Sequence, residues 1–219
     1  MKKVLSIVSV ILLIIVLAIL VVFILNLDKA LKKQNQQKPS GSPTTQPSQP
    51  AKKPALSEPI SSAKSRITKK PFGIYITPQT SPVQPEKFAG YHTGTDFETT
   101  SSEASVDVPI YAACGGKIRL QEIVQGYGGV IVQDCTLDNQ PVTVLYGHLN
   151  IRQAHVLSVG QEVNARDKIA VLAPENSELS GGERKHLHLG IHKGTTLDFR
   201  GYVQNQSELS GWLDAKSYL

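Results

Sequence analysis

The C-terminal part of the chain is a series of short β-type segments separated by turn residues. The segments are GIYIT (73–77), PIYAAC (109–114), KIRLQEIV (117–124), GVIVQ (129–133), PVTVLYGHL (141–149), KIAVLA (168–173) and HLHLGIH (186–192). They are rich in β-branched and aromatic residues, and glycines or Asp138-Asn139 lie between several of them. Such a pattern is typical of strands joined by tight turns, and no long helical period accompanies it. Residues 67–219 are therefore predicted to form one all-β domain whose strands are mostly antiparallel.

A long apolar segment precedes this domain. After a short tail at residues 1–3, residues 4–25 contain no charge, proline or glycine. As a helix rising about 1.5 Å per residue, the segment would be about 33 Å long, enough to cross a hydrocarbon core of about 30 Å. We predict a single transmembrane signal anchor at residues 4–25, with a cleaved signal peptide as the alternative. Lysines flank both ends of the segment, so the positive-inside rule does not fix its orientation.

Residues 26–66 are predicted to be a flexible linker. They are rich in Pro, Ser, Gln and Lys and contain almost no aromatic residue. A segment of this composition cannot bury enough apolar surface to offset the entropy lost on ordering. A coil of about 30 residues reaches roughly 30 Å, which would hold a domain away from the membrane.

The distribution of charge argues against nucleic-acid binding. The formal net charge is +5, but residues 1–70 carry 12 Lys and Arg against 2 Asp and Glu. Residues 71–219 carry 11 Lys and Arg against 16 Asp and Glu. The predicted domain is thus mildly acidic, and it contains no basic helix or aromatic-basic strip that would follow phosphates.

Two segments of the domain place histidines and a carboxylate at spacings suited to a metal. On a strand, His186 and His188 of KHLHLGIH would face one side, while the alternating leucines and isoleucine of the same segment face the core. His92 and Asp96 of GYHTGTDFE are four residues apart, with a glycine between them. Two imidazoles and one carboxylate are a typical catalytic zinc set, which leaves one position open for water.

The roles of the remaining histidines are predicted from the residues around them. His148 ends the segment VTVLYGHL, and it would join the same groove if its strand lies beside HLHLGIH. Imidazoles that do not bind the metal can accept a proton from water or stabilise an oxyanion. For His155 and His192, a structural or surface role is the expectation.

The motifs GYHTGTDFE, PIYAACGGKI, VTVLYGHLN and KHLHLGIH, in this order, resemble the lysostaphin/LytM-type zinc metallopeptidases. HVLSVGQEVNARDKIAVLA and the closing GWLDAKSYL also resemble segments of that family, and the resemblance covers roughly residues 67–219. It implies a β-sheet-rich fold with a groove, one Zn²⁺, and cleavage of peptide bonds in bacterial peptidoglycan by a zinc-activated water. By motif, it implies the metal ligands His92, Asp96 and His188 and the catalytic histidines His148 and His186.

From this resemblance we expect a membrane-anchored zinc endopeptidase whose substrate is a peptidoglycan cross-bridge or stem peptide. The domain is expected outside the cell membrane on these functional grounds. The alternative is a non-catalytic module of the same fold that binds the wall or activates a separate wall amidase. A purely structural wall-anchoring protein would also fit the tether, but it gives no reason for five such residues in this order.

The sequence departs from the family pattern at three places. The loop PENSELSGGERK precedes the HxH motif and places Lys185 where the family often has proline. That loop borders the expected groove, and the stretch ETTSSEASVDV (98–108), a longer link than usual, is expected to reshape it. Cys114 and Cys135 stand where small or polar residues are more usual. They would form one disulfide outside the cytoplasm or remain two buried thiols, and the sequence leaves both open.

Overall fold

The structure of the protein is a computed structural model, and it describes residues 21, 22, 26, 56–153 and 157–219. The chain divides into two units, Met1–Ala51 and Lys52–Leu219. In the first unit, Val21, Val22 and Asn26 are helical. Among the described residues, no helix is both long and apolar enough to span a membrane. The predicted anchor 4–25 lies outside them except for the two valines, and most of the predicted linker 26–66 lies outside them as well.

The second unit is built from short antiparallel strands. They are β1 (Tyr75–Ile76), β2 (Gly90–His92), β3 (Gly94–Glu98), β4 (Pro109–Tyr111), β5 (Gly116–Val124), β6 (Gly128–Leu137), β7 (Gln140–Gly147), β8 (Glu162–Val163), β9 (Lys168–Val171), β10 (His186–Lys193), β11 (Tyr202–Val203) and β12 (Trp212–Leu213). Short 3-10 turns lie at Ala63–Arg66, Ser101–Glu103, Glu178–Ser180, Gln206–Gly211 and Ala215–Ser217.

The strands form one large sheet and two small ones. The large sheet has the order β12-β10-β7-β6-β5-β8, with β3 also paired to β10. The smaller sheets are β1-β2-β11 and β4-β9. Each pairing between these strands is antiparallel, which confirms the predicted mostly antiparallel β domain. β6 and β7 are joined through Asp138 and Asn139, whose φ angles of 50° and 60° suit a tight hairpin turn.

One face of the large sheet forms the main core. Leu187, Leu189 and Ile191 of β10 are at most 1% exposed and belong to one apolar cluster. The alternation predicted from KHLHLGIH is therefore confirmed. Ile110 of β4 and Ile169 of β9 belong to the same cluster, so the small sheet contributes to this core. Each buried side chain of this size stabilises the fold by about 1.5–3 kcal/mol.

The folded unit begins earlier than the sequence predicted. Residues 56–66 were assigned to the flexible linker, but Leu56, Ile60 and Ala63 are at most 5% exposed and belong to the main core. The backbone of Leu56 also bonds to Tyr218 near the end of the chain, N to O at 2.8 Å. The assignment of these residues to the linker is corrected, because three apolar side chains spaced along a polar segment are enough to anchor it.

Cys114 and Cys135 form a disulfide. Their Cα atoms are 6.1 Å apart, and the bond joins Cys114, two residues before β5, to Cys135 near the end of β6. This structure therefore has the bridge rather than the pair of free thiols that the sequence also allowed.

Candidate metal centre

Three buried donor atoms converge at one point of the groove. His92 Nε2 lies 3.1 Å from His188 Nδ1 and 3.4 Å from Asp96 Oδ1. His188 Nδ1 lies 3.0 Å from Asp96 Oδ1. The three residues are between 1% and 4% exposed. The structure thus brings together the three residues that the sequence proposed as metal ligands.

These donors fit a zinc ion. At zinc–ligand distances of about 2.0–2.1 Å, two ligands of a tetrahedral site lie about 3.3 Å apart. The three observed separations, 3.0 to 3.4 Å, match that value. Two imidazoles and a carboxylate with converging lone pairs are also costly to bury unless a cation lies between them. In the described part of the chain, no further His, Cys, Asp or Glu joins the group, as a closed structural site would require.

The HxxxD segment crosses from one sheet to another. His92 ends β2 in the small sheet, where it pairs with Tyr202, and Asp96 lies in β3 beside β10. Thr93 lies between the two strands and forms two hydrogen bonds to the segment that precedes β11. Its N–H donates to Gly201 O at 3.0 Å, and its hydroxyl donates to Arg200 O at 2.6 Å. The fixed crossing brings both ligands to the same point.

The register of β3 against β10 places the remaining ligand. His188 is the direct cross-strand partner of Asp96, and on the opposite face of the same strands Leu187 is the partner of Phe97. Leu187 and Phe97 are fully buried in the main core. Because successive side chains alternate between faces, burying the apolar pair directs the ligand pair into the groove.

Two glycines make room for the rings of His188 and Tyr127. A Cβ at Gly94 would lie closer than 3.0 Å to two ring atoms of His188, so the strand can pass only without a side chain. Gly147 is the partner of His188 on β7, and a Cβ there would lie 2.7 Å from the ring of Tyr127. Both positions require glycine for close approach rather than for backbone conformation.

Each imidazole ligand has a partner on its other nitrogen. His92 Nδ1 donates to the carbonyl of Pro71 at 3.2 Å, which leaves Nε2 facing the donor cluster. His188 Nε2 lies 3.3 Å from the hydroxyl of Tyr127, which leaves Nδ1 facing the cluster. Such partners fix the tautomer and the ring orientation of a metal-binding histidine.

His148 and His186 lie beside the three donors. β7 neighbours β10, as the sequence argument required, and the rings of His148 and His186 are 4.3 Å apart. His148 Nδ1 donates to Ser180 O at 2.8 Å, and His186 Nδ1 donates to Arg184 O at 2.8 Å. His186 Nε2 is 3.3 Å from Asp96 Oδ2. The five residues singled out in the sequence therefore share one site.

The His148 backbone is unusual. Its φ angle is 62°, in the left-handed region that non-glycine residues seldom adopt. The surrounding structure holds it there, since its N–H donates to Tyr127 O and its carbonyl accepts from Ala173. Strain of this kind is often found at functional sites.

Burial controls the protonation of the site. Burial lowers the pKa of His148 well below its usual value, and the neighbouring His186 and His188 lower it further. Burial is also the main cause that lowers the pKa of His188 to about 4, against the opposing charge of Asp96. For Asp96, burial alone raises the pKa, but the imidazoles of His186 and His92 outweigh it and hold that pKa well below its usual range. In the metal-free protein near neutral pH, Asp96 is thus ionised, and His148 and His188 are neutral.

The site opens into a groove of about 270 Å³. Phe88 stacks on Tyr202 at 5.5 Å between ring centroids on one wall. Lys70, a buried residue that also lines the groove, forms an ion pair with Glu86 and donates to the Tyr202 hydroxyl at 3.1 Å. The groove therefore has an aromatic wall fixed by a buried ion pair, with the donor cluster at its base.

Two of the departures from the family pattern contact each other. The Lys185 side chain is buried, and its ammonium donates to the carbonyls of Glu103, Ala104 and Val106, the nearest at 2.6 Å. Glu103 is also held by Arg66 at 2.7 Å. Three acceptors satisfy the three donors of the ammonium. Lys185 thus fastens the long link 98–108 to the start of β10.

The sequence left two histidines outside the site and did not predict three residues that lie beside its ligands. His192 packs against Trp212 on the far part of β10, in keeping with its expected structural role, and His155 lies outside the described residues. Sequence reasoning missed Tyr127, Glu98 and Arg184. The turn segment around Tyr127 and the unusual loop before His186 were visible in the sequence, but their contacts with the ligands depend on the tertiary fold.

The chain is similar to one protein family and to several solved structures. The model of peptidase family M23 matches residues 90–199. Among solved structures, LytU has 24% sequence identity and a TM-score of 0.47, with 70% of this chain and 83% of that chain covered. Lysostaphin, an antimicrobial peptidase from Staphylococcus simulans, has 19% identity and a TM-score of 0.46, with 74% and 53% covered. Csd3 from Helicobacter pylori has 21% identity and a TM-score of 0.44, and the match covers 69% of this chain and only 35% of Csd3. No curated protein sequence matches the chain.

Proposed function

The chain belongs to peptidase family M23, a family of zinc metallopeptidases, and from this premise we propose that it hydrolyses peptide bonds in the cross-bridges or stem peptides of bacterial peptidoglycan. The observation that carries the proposal is the open cluster of His92, Asp96 and His188 with His148 and His186 beside it. A structural metal site needs no additional imidazoles, whereas hydrolysis needs groups that move protons.

The three clustered residues are proposed to hold one zinc ion. When bound, zinc lowers the pKa of a ligated water towards about 7 and polarises a carbonyl as a Lewis acid. Asp96 brings a negative charge to the site because its pKa is held low, and His188 is neutral, as a metal ligand must be.

His148 is proposed as the general base. Its Nδ1–H is engaged by Ser180 O, so its Nε2 is free to accept a proton. Its lowered pKa keeps it neutral and ready to accept that proton near neutral pH. The strained backbone of His148 and the two hydrogen bonds of its peptide groups hold the ring in place.

His186 is proposed as the second catalytic imidazole. It lies between His148 and Asp96, with its ring 4.3 Å from the first and its Nε2 3.3 Å from Oδ2 of the second. When Nε2 carries a proton as well as Nδ1, the ring can donate a hydrogen bond from this position to an oxyanion that develops at the cleaved carbonyl. The aromatic wall at Phe88 and Tyr202 would pack against the substrate backbone and exclude water on that side.

We further propose that residues 4–25 anchor the protein in the cell membrane, with the peptidase unit outside. The apolar length of the segment supports the anchor. The Cys114–Cys135 disulfide supports an oxidising compartment, where such bonds persist. Membrane fractionation, followed by protease treatment of intact cells, tests both parts, and a protein recovered free of membranes would contradict the anchor.

The function is tested by metal analysis and by digestion of isolated wall material. We expect one zinc per purified chain, and mass spectrometry of digested peptidoglycan should give new peptide ends whose identity names the cleaved bond. A folded chain that binds no zinc would refute the metal site. A chain that binds zinc, cleaves no wall peptide and stimulates a separate amidase would favour the non-catalytic module.

A further inference from the structure

The two oxygens of the Asp96 carboxylate have different surroundings. Oδ1 faces the metal-binding nitrogens of His92 and His188, at 3.4 and 3.0 Å. Oδ2 accepts a hydrogen bond from the Arg184 guanidinium at 2.9 Å, and His186 Nε2 lies 3.3 Å from it. A carboxylate with one oxygen held in this way presents a defined oxygen to a metal.

Arg184 is itself held in place by Glu98. Its Nε donates to Glu98 Oε2 at 2.9 Å, and its Nη2 contacts both Glu98 and Asp96. Glu98 lies two residues after Asp96 on β3, so both carboxylates project from the same face of the strand. The Arg184 side chain is 16% exposed, which shields these hydrogen bonds from water.

The charges of this group leave the metal ligand anionic. Arg184 contributes one positive charge, and Glu98 and Asp96 contribute one negative charge each. Glu98 offsets the guanidinium, and the other cationic neighbour of Glu98, Lys69 at 3.6 Å, is 46% exposed and largely screened by water. The charge of Asp96 therefore remains available to a cation. Without Glu98, the arginine would compete with the metal for the same carboxylate. A guanidinium suits this task because it cannot lose its proton and its planar fork spans two carboxylates.

We propose that Arg184, fixed by Glu98, is a positioning residue that holds Asp96 by Oδ2 so that Oδ1 binds the metal. The proposal rests on the proposed function only in taking His92, Asp96 and His188 as metal ligands. Hydrogen-bonded partners behind a metal ligand orient it, and losing one commonly weakens metal binding about 10–100-fold. Arg184 lies in the loop before HxH that departs from the family pattern, so this loop would serve the metal as well as border the groove.

The test compares zinc affinity among variants of the full chain, measured by competition with a chromophoric chelator. Arg184→Gln is expected to bind zinc about 10–100-fold more weakly than the wild type. Arg184→Lys keeps the charge but cannot span both carboxylates, so its zinc affinity should lie between those of Arg184→Gln and the wild type. Arg152→Gln is the matched control, because Arg152 pairs with Glu178 on the surface at 3.0 Å. The control should bind zinc as the wild type does.

Two further measurements separate positioning from folding. The metal-free Arg184→Gln variant should melt below the wild type, because Glu98 and Asp96 lose their cationic partner, so zinc affinity is measured well below that melting temperature. Excess zinc should restore hydrolysis in the folded variant, since the residue acts through metal occupancy. Unchanged or tighter zinc binding in Arg184→Gln would overturn the proposal. If Arg184→Gln fails to fold, wild-type zinc affinity in Arg184→Lys would overturn it instead. A wild-type chain that binds zinc but cleaves no wall peptide would overturn the proposed function and leave this comparison intact.

Discussion

Replacing Gly94 by alanine should displace a metal ligand without changing any donor atom. The added Cβ would lie closer than 3.0 Å to two ring atoms of His188, whereas ordinary van der Waals contact begins at 3.4 Å. The new methyl group cannot move aside, because the backbone oxygen of Leu189 would lie only 2.9 Å from it on another side. The His188 ring would therefore have to move by more than 0.4 Å. A metal site tolerates ligand-distance errors of only about 0.2 Å. We therefore expect Gly94→Ala to weaken zinc binding at least about 10–100-fold, as the loss of a ligand-orienting contact does.

The assay is chelator competition together with thermal melting of the metal-free protein. Gly115→Ala is a suitable control, because the nearest atoms to a Cβ there are 3.8 and 4.0 Å away. It introduces the same methyl group into the same unit, and zinc affinity should not change. Wild-type zinc affinity in a folded Gly94→Ala variant would refute the geometric argument for the site.

Three further predictions concern catalysis and stability. His148→Asn, chosen because asparagine tolerates the left-handed backbone, should lower kcat about 100- to 10,000-fold with zinc content unchanged, and a smaller loss would argue against a general base. Replacing Cys114 and Cys135 together by alanine opens a link across 21 residues. It should cost about 3 kcal/mol of unfolding free energy and roughly 6–12 °C in Tm, and an unchanged melting curve would contradict this. The metal-free protein should lose stability as pH falls from about 6.5 to about 4, because the unfolded state protonates His188 before the folded state does. Added zinc should shift that loss to lower pH in melting experiments, since protons and metal compete for the same nitrogen.

Sequence patterns predicted the longer strands because each contains several alternating or apolar residues. The strands at 117–124, 141–149 and 186–192 lie within one or two residues of β5, β7 and β10. β8, β11 and β12 were missed because two residues carry no period. The early start of the unit at Leu56 was missed for a related reason, since the proline-rich composition around it masked three isolated apolar residues.

In the candidate site, too, some residues could be predicted from the sequence and others could not. Donor residues were visible as motifs because their spacing within a strand decides which face they share. The partners that orient them were not visible, because Arg184, Tyr127 and Pro71 reach the ligands from separate loops. Which oxygen or nitrogen faces the metal therefore depends on contacts that only the folded chain provides.

Strand register explains why short motifs can specify this site. Phe97 and Leu187 are cross-strand partners in the core, and Asp96 and His188 are partners on the opposite face. A slip of one residue between β3 and β10 would turn Asp96 into the core and Phe97 into the groove. Both changes are costly, since they bury an unpaired charge and expose an aromatic ring. The core pair therefore fixes the ligand pair, and the apolar residues of TDFE and HLHL are as necessary to the metal site as its donors.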